Sequence, residues 1–114
     1  MQKYETLKEN TEFVRTYYRG KSTANPALVV YAMKNGAGIC RVGITTSKKI
    51  GNAVERNRSR RVIRAAYQSV FKNEAIQGNW DLVFVARGKT KYLKSTAVEK
   101  AMILCLTELG VIKK

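Results

Sequence analysis

Apolar residues repeat along this chain with two spacings, one typical of α-helices and the other of β-strands. The helical spacing, with apolar residues three and four positions apart, occurs in three segments: 10–20, 52–71 and 96–110. Short runs rich in branched and aromatic residues predict three strands: 27–34, 39–46 and 80–86. The predicted order is therefore helix, two strands, helix, strand, helix. This order is typical of one small sheet with helices packed against it.

Capping residues indicate where the first and last helices begin. Asn10 or Thr11 is the expected N-cap of the first helix. Thr96, with Glu99 three residues later, has the spacing of a capping box at the start of the last helix. No linker, repeat or low-complexity stretch interrupts the chain, so residues 1–114 are expected to form a single domain.

A hairpin signal lies between the first two predicted strands. The dipeptide Asn35-Gly36 is the strongest short signal for a β-hairpin when it separates two strand-like runs. We therefore expect strands 27–34 and 39–46 to be antiparallel neighbours in the sheet.

The segment 48–64 carries seven positive charges and one acid, in a sequence typical of a loop followed by a helix. Gly51 ends the preceding extended segment, Asn52 is a good N-cap, and Glu55 is placed to complete a capping box. Arginines follow within the first turns, at the positive end of the helix dipole, where each cation costs roughly 0.3–1 kcal/mol. Unfavourable charges collected at one place indicate a functional reason, and a bound polyanion supplies one.

The predicted basic helix has two different faces. One face carries the residues suited to a core: Ser59, Val62, Ile63, Ala66, Tyr67, Val70 and Phe71. The other carries Asn57, Arg58, Arg60, Arg61 and Arg64, with Arg56 near the boundary. A solvated surface helix normally mixes acids and bases at i,i+4 spacing, whereas Glu55 is the one acid here. The pattern therefore favours nucleic-acid binding over a solvated face, and arginine suits bidentate contact with phosphate.

The overall charge supports the same interpretation. A net charge of +14 on 114 residues, with a pI of about 10.1, is typical of a nucleic-acid-binding protein. A membrane surface would instead require an exposed apolar helix face, which this helix needs for the core. The chain has no run of about 20 apolar residues and its start lacks the pattern of a signal peptide. We therefore expect a cytoplasmic protein without a membrane partner.

Residues able to catalyse a reaction are scarce. The sequence has no histidine, and its eight acids are dispersed, so neither the usual general base nor a two-metal site is expected. Cys40 and Cys105 lie in apolar patterns, which favours buried thiols in a reducing cytosol over a disulfide. The chain alone is therefore predicted not to be a self-sufficient enzyme.

The run SKKIGNAVERNRSRRVIRAAY resembles the signature of the bacterial ribonuclease P protein subunit, whose core is Arg-Asn-Arg, here Arg56-Asn57-Arg58. The resemblance covers nearly the whole chain, including RVG at 41–43 and DLVFVARG at 81–88. It implies an α+β sandwich with three helices and a small, mostly antiparallel sheet of about four strands. The implied order is αβββαβα, with a left-handed βαβ crossover as in ribosomal proteins, against the usual right-handed rule.

The resemblance also implies a function. In this family the protein is the partner of a catalytic RNA that removes the 5′ leader from precursor tRNA, and Mg²⁺ is held by that RNA rather than by protein residues. The implied RNA-binding residues are Lys48, Lys49, Arg56, Asn57, Arg58, Arg60, Arg61 and Arg64. The implied leader-binding cleft, between the first helix and the sheet, is lined by Phe13, Tyr17 and Tyr31.

The sequence leaves undecided the setting of a few side chains and one alternative class of function. Tyr18 is expected to pack in the core, and Lys89 and Lys91 either contact RNA or lie in a solvated loop. A ribosomal or RNA-chaperone module would share the charge and the fold, since fold alone does not define function. DNA is not the expected partner, because the arginine helix has few base-reading residues and no helix-turn-helix partner.

Overall fold

A five-stranded sheet and three α-helices make up the computed structural model, which describes residues 4–7, 9–36, 38–74, 76 and 79–112. In chain order the elements are β1 Tyr4–Thr6, α1 Asn10–Arg19, β2 Lys21–Ala24, β3 Leu28–Lys34, β4 Cys40–Thr45, α2 Ala53–Asn73, β5 Trp80–Ala86 and α3 Ser95–Glu108. All three predicted helices and all three predicted strands are present. The predicted Thr96–Glu99 capping box is wrong, because α3 begins at Ser95 with Lys94 as its N-cap and no side-chain cap hydrogen bond. The α+β class expected from the resemblance is confirmed.

The strand order is β1-β4-β5-β3-β2, so the predicted hairpin is wrong. Strands β3 and β4 flank β5 instead of pairing with each other. The Asn35-Gly36 turn crosses the start of β5, where the Asn35 amide N–H donates to the carbonyl of Asn79 at 2.7 Å. The physical reason is burial. Strand β5 is largely apolar, with six of its seven residues buried. In the centre of the sheet it has a neighbouring strand at each edge, β4 on one side and β3 on the other.

The pairing directions differ from the expected mostly antiparallel sheet. Strand β4 runs parallel to both β1 and β5, whereas β3 runs antiparallel to β5 and β2. Because β4 and β5 are parallel neighbours joined through α2, the chain contains the strand–helix–strand crossover that the resemblance implies. The expected order αβββαβα is present with one further strand, β1, in front of it.

Strands β1 and β2 were not predicted from the sequence, because they are short and mostly polar. Both lie at an edge of the sheet, and their seven residues carry no alternating apolar pattern. Their place in the sheet depends on the strands beside them rather than on their own composition.

The main core lies between one face of the sheet and the helices α2 and α3. On the sheet it is built from alternate residues that are at most 6 % exposed: Leu28, Val30, Ala32, Cys40, Val42, Leu82, Phe84 and Ala86. The predicted apolar face of α2 packs there, with six of its residues buried and Val62 partly buried against them. Cys40 and Cys105 are free buried thiols, as predicted, and burial raises their pKa to about 12 and about 11.

Helix α1 lies on the opposite face of the sheet. It begins one residue earlier than expected, with Glu9 as the N-cap in place of Asn10 or Thr11. The Glu12 carboxylate accepts the Glu9 amide N–H at 3.2 Å, which holds the first turn closed. With one helix on this face and two on the other, the sheet surface around α1 is only partly covered.

Candidate nucleic-acid interface

The start of α2 has the capping box predicted from the sequence. The Asn52 side chain accepts the Glu55 amide N–H at 2.9 Å, and the Glu55 carboxylate accepts the Asn52 amide N–H at 3.0 Å. Gly51 precedes them with φ at +143°, and a Cβ there would collide with the Glu55 carboxylate. Glycine is therefore required at this position both for its backbone conformation and for the space that the cap occupies.

The polar face of α2 forms a continuous basic surface. Its exposed residues are Asn57, Arg58, Arg60, Arg61 and Arg64, opposite the buried face. Lys48 and Lys49 are exposed on the 3₁₀ turn just before the helix. Seven of the eight residues expected to contact RNA thus lie on the surface together. We call this set, with Arg56, the arginine surface.

Intramolecular hydrogen bonds orient three of the arginines. Arg56 is partly buried, and its Nη1 donates to the Gly51 carbonyl at 2.9 Å. Arg60 Nη2 donates to the Thr46 hydroxyl at 2.7 Å. Arg58 Nε donates to the carbonyl of Lys91 at 2.6 Å. Each bond engages one edge of a guanidinium group that has five N–H donors, so donors remain for a ligand.

Lys91 does not lie in a solvated loop, which was one of the two settings left open by the sequence. Its side chain is only 13 % exposed, and its ammonium group contacts the Glu55 carboxylate at 2.9 Å. The same group donates to the carbonyl of Ile50 at 2.6 Å. The hydrogen bond from Lys91 lowers the pKa of Glu55, and the same bond raises the pKa of Lys91. Lys91 therefore attaches the 87–94 loop to the start of α2, whereas Lys89 is exposed.

The aromatic residues expected in the leader cleft lie between α1 and the sheet. The rings of Tyr17 on α1 and Tyr31 on β3 meet edge to face, with centroids 4.9 Å apart. The hydroxyls of Tyr17 and Thr45 share a hydrogen bond of 2.7 Å. Both tyrosines are half-buried, so each has one protected side and one open to solvent. Because side chains alternate along a strand, Val29 and Met33 face the same side as Tyr31.

Phe13 lies between α1 and β4, one turn before Tyr17. A Cβ on Gly43 would come within 2.5 Å of its ring, so the ring rests directly on the β4 backbone. Glycine at 43 is what allows α1 to approach the sheet this closely. Phe13 is therefore the most packing-dependent of the three cleft residues, while Tyr17 and Tyr31 carry the accessible ring surface.

The prediction that Tyr18 packs in the core is wrong, because its side chain is 86 % exposed. Residues 17 and 18 differ by about 100° around the helix axis, so they face different directions. With Phe13, Thr16 and Tyr17 turned toward the sheet, Tyr18 lies on the outer side of α1.

An ion-pair network missed by the sequence analysis holds α1 onto the sheet. Arg41 on β4 makes two hydrogen bonds to the Asp81 carboxylate, of 2.8 and 2.9 Å, and a third of 2.7 Å to Glu12 on α1. Asp81 is fully buried and also accepts from the Asn35 side chain at 2.6 Å. The hydrogen bonds to Asp81 raise the pKa of Arg41. The available signal was the single acid in the apolar strand 80–86.

Other functional classes find little support in the geometry. Among the described residues, no three His, Cys, Asp or Glu side chains lie close enough together to hold a metal ion. In the same part of the chain, no helix is both long and apolar enough to span a membrane. The surface offers guanidinium and ammonium groups for phosphates and tyrosine rings for bases, which together suit an RNA strand.

Comparisons with known proteins agree with this chemistry. Residues 1–110 match the ribonuclease P family. A ribonuclease P protein component from Clostridium novyi is 42 % identical over 113 residues, covering 97 % of this chain and 98 % of its own. The solved Staphylococcus aureus RNase P protein is 34 % identical, with a TM-score of 0.81, covering 97 % of this chain and 100 % of its own. A second structure from that organism, described as a mutant with defective mRNA degradation activity, is 31 % identical with a TM-score of 0.79. It covers 95 % of this chain and 89 % of its own.

Proposed function

Because the chain belongs to the ribonuclease P protein family, we propose that it binds the catalytic RNA of that enzyme and the 5′ leader of precursor tRNA. The family is the protein component of an RNA-cleaving enzyme of tRNA processing. In the proposal, the protein promotes the endonucleolytic removal of the leader that produces the mature tRNA 5′ end.

The observation that carries the proposal is the arginine surface. Its guanidinium groups project from a helix whose other face is buried, and the one acid among them, Glu55, is paired with Lys91 at 2.9 Å. The positive charge of the surface is therefore not opposed by Glu55, the one carboxylate described among these residues. Arginine forks bind phosphates in a bidentate manner, and the donors of Arg56, Arg58 and Arg60 are already oriented by the protein. We assign this surface to the catalytic RNA.

The cleft between α1 and the sheet supports leader binding. A flexible single strand can turn its unpaired bases toward the exposed side of these rings, whereas the bases of a duplex are already stacked on each other. The half-buried rings of Tyr17 and Tyr31 offer stacking surfaces that accept any base, as a leader of variable sequence requires. Phe13, one turn before Tyr17 on α1, packs against Gly43 of β4.

Hydrolysis in this proposal belongs to the RNA subunit and its bound Mg²⁺. In the part of the chain that the structure describes, the acids do not converge on a metal site, and three of them already have basic partners. Asp81 and Glu12 are bound to Arg41, and Glu55 is bound to Lys91. The chain's contribution is to bind and orient two RNA segments through its own positive charge and aromatic rings.

Reconstitution tests the proposal directly. Purified protein is combined with a bacterial ribonuclease P RNA and precursor tRNA at low Mg²⁺, and cleavage at the mature 5′ end is measured. The protein should increase the rate, because its cations replace part of the Mg²⁺ that offsets phosphate repulsion. Binding without any stimulation would instead indicate a ribosomal or RNA-chaperone module.

A second arm tests the protein without the RNA subunit. Protein alone should cleave neither precursor tRNA nor an mRNA, because no described group of residues is arranged to activate water. The mRNA substrate is included because a Staphylococcus aureus relative is described in terms of mRNA degradation. Cleavage that persists through purification, and disappears when one acid is substituted, would contradict the assignment of catalysis to the RNA.

A further inference from the structure

The outer side of α1, away from the sheet, carries an exposed aromatic ring that the leader cleft does not use. Tyr18 has the largest exposed fraction among the exposed large hydrophobic side chains of the described residues, at 86 %. Val14, one turn earlier, is 39 % exposed beside it. A shallow groove of about 620 Å³ runs along this side and is lined by Asn10, Thr11, Val14, Arg15, Tyr18 and Arg19.

The charge around Tyr18 is positive and unopposed. Among the described residues that line the groove, Arg15 and Arg19 are charged and none is an acid. Glu12, the acid within α1, is turned toward the sheet, where it binds Arg41 at 2.7 Å. A ligand for this groove must therefore combine a flat apolar surface with negative charge.

Unpaired RNA has this combination, because each nucleotide carries a base with two stacking faces and a charged phosphate. A membrane surface or a protein partner would require a wider apolar patch than one ring and one valine. We propose that the outer face of α1, defined by Val14, Arg15, Tyr18 and Arg19, binds unpaired RNA. One base stacks on Tyr18, and the neighbouring phosphates bind Arg15 and Arg19.

This inference rests on the proposed RNA-binding function and adds a second surface to it. The leader cleft uses Phe13 and Tyr17 on the inner side of α1, and the groove uses the opposite side of the same helix. The two surfaces are therefore separable by substitution. Tyr18 can be removed without touching the packing of α1 on the sheet.

The test measures the affinity of the protein for a labelled, unstructured RNA of about 12 nucleotides by fluorescence anisotropy. Tyr18→Ala should weaken binding roughly 5- to 150-fold, the range for loss of one base stack. Tyr18→Leu keeps apolar area but lacks the aromatic face, so it should lose affinity as Tyr18→Ala does. Tyr18→Phe keeps the ring and should stay within about twofold of wild type. Arg15→Gln should reduce the salt dependence by about one phosphate contact.

Tyr92→Ala is the matched control. Tyr92 is also an exposed tyrosine, at 76 %, and also lies beside a cation, with the Lys91 ammonium 5.2 Å from its ring centroid. It lies in the 87–94 loop, outside the groove, so its removal should lower the affinity less than Tyr18→Ala does. Thermal unfolding should be the same for wild type and all Tyr18 variants, since an exposed side chain contributes little to packing.

The outcomes separate this inference from the proposed function. If wild type and Tyr18→Ala bind RNA with equal affinity, the proposal that the outer face of α1 binds RNA is wrong, while the proposed function still holds. Equal losses for Tyr18→Ala and Tyr92→Ala would overturn it as well, because the effect would not belong to this surface. A wild-type protein that binds no RNA would contradict both.

Discussion

The ammonium group of Lys91 lies 2.9 Å from the Glu55 carboxylate, which joins the 87–94 loop to the first turn of α2. The Glu55 carboxylate therefore makes two interactions, because it also accepts the Asn52 amide N–H and so caps the helix. Pairing with Lys91 removes the one negative charge that would otherwise face the phosphates of an RNA. The loop thus contributes to the arginine surface by neutralising its acid and by binding Arg58 through a backbone carbonyl.

Lys91→Met should weaken binding to the catalytic RNA, because the Glu55 charge is then exposed beside the arginines. Lys89→Met is the matched control, since Lys89 is an exposed lysine two positions away in the same loop. It should lower the affinity less. Equal losses from both variants, measured by filter binding, would mean that Lys91 acts only through its own charge.

The pH dependence of stability should report the same ion pair. The lowered pKa of Glu55 means that its contribution is present above its ordinary value of 4.5 and lost as pH falls through the lowered folded value. The raised pKa of Lys91 means that its contribution is present below 10.5 and lost as pH rises through the raised folded value. The free energies of unfolding of wild type and Lys91→Met should therefore differ by a constant amount near neutral pH. The difference should shrink at both extremes, as denaturant titrations at several pH values can show.

Arg61→Ala is the most direct test of the arginine surface, because Arg61 is exposed and lies off the buried face of α2. Affinity for the catalytic RNA should fall, and the slope of log affinity against log salt should become shallower by about one counterion. Thermal stability should be unchanged. Lys72→Ala, a change of the same charge at the far end of the helix, is the control and should have a smaller effect on both quantities. An unfolded Arg61→Ala protein would show that the surface assignment is wrong.

Tyr31→Ala tests the leader cleft. Precursor tRNA should lose roughly 1–3 kcal/mol of binding free energy per lost base stack, while mature tRNA without a leader should bind almost as before. Tyr17→Phe is a more conservative variant of the same cleft, because it keeps the aromatic ring and removes only the hydrogen bond to Thr45. Equal losses for tRNAs with and without a leader, at unchanged stability, would remove the cleft from the proposal and leave a general RNA-binding surface.

Arg41→Met should destabilise the protein by about 3–5 kcal/mol, because it leaves the buried Asp81 carboxylate without its cation. Glu12→Gln, which removes the more exposed partner of Arg41, should cost only about 1 kcal/mol or less. The double variant Arg41→Met, Asp81→Leu should recover most of the loss, since it buries no unpaired charge. Urea denaturation measures all three. A double variant no more stable than Arg41→Met would contradict this explanation.

Interactions between close neighbours in the chain were partly predictable, since the cap of α2 is confirmed whereas the predicted caps of α1 and α3 are wrong. The Asn52–Glu55 cap and the two faces of α2 depend on residues within a few positions of each other. Local spacing contains that information directly. The arginine surface could be predicted for the same reason, because its members share one helix.

The sequence by itself thus determined the helices, the three apolar strands and the basic face of α2. Only the tertiary structure decided which strands are neighbours, and the Asn35-Gly36 signal was overridden because the apolar strand β5 is buried best between β3 and β4. Contacts that depend on this order join residues far apart in the chain. Tyr17 and Thr45 are 28 positions apart, and Arg41 and Asp81 are 40 apart. The exposure of Tyr18 was decided in the same way, because the side of α1 that faces the sheet depends on how the helix packs rather than on its own pattern.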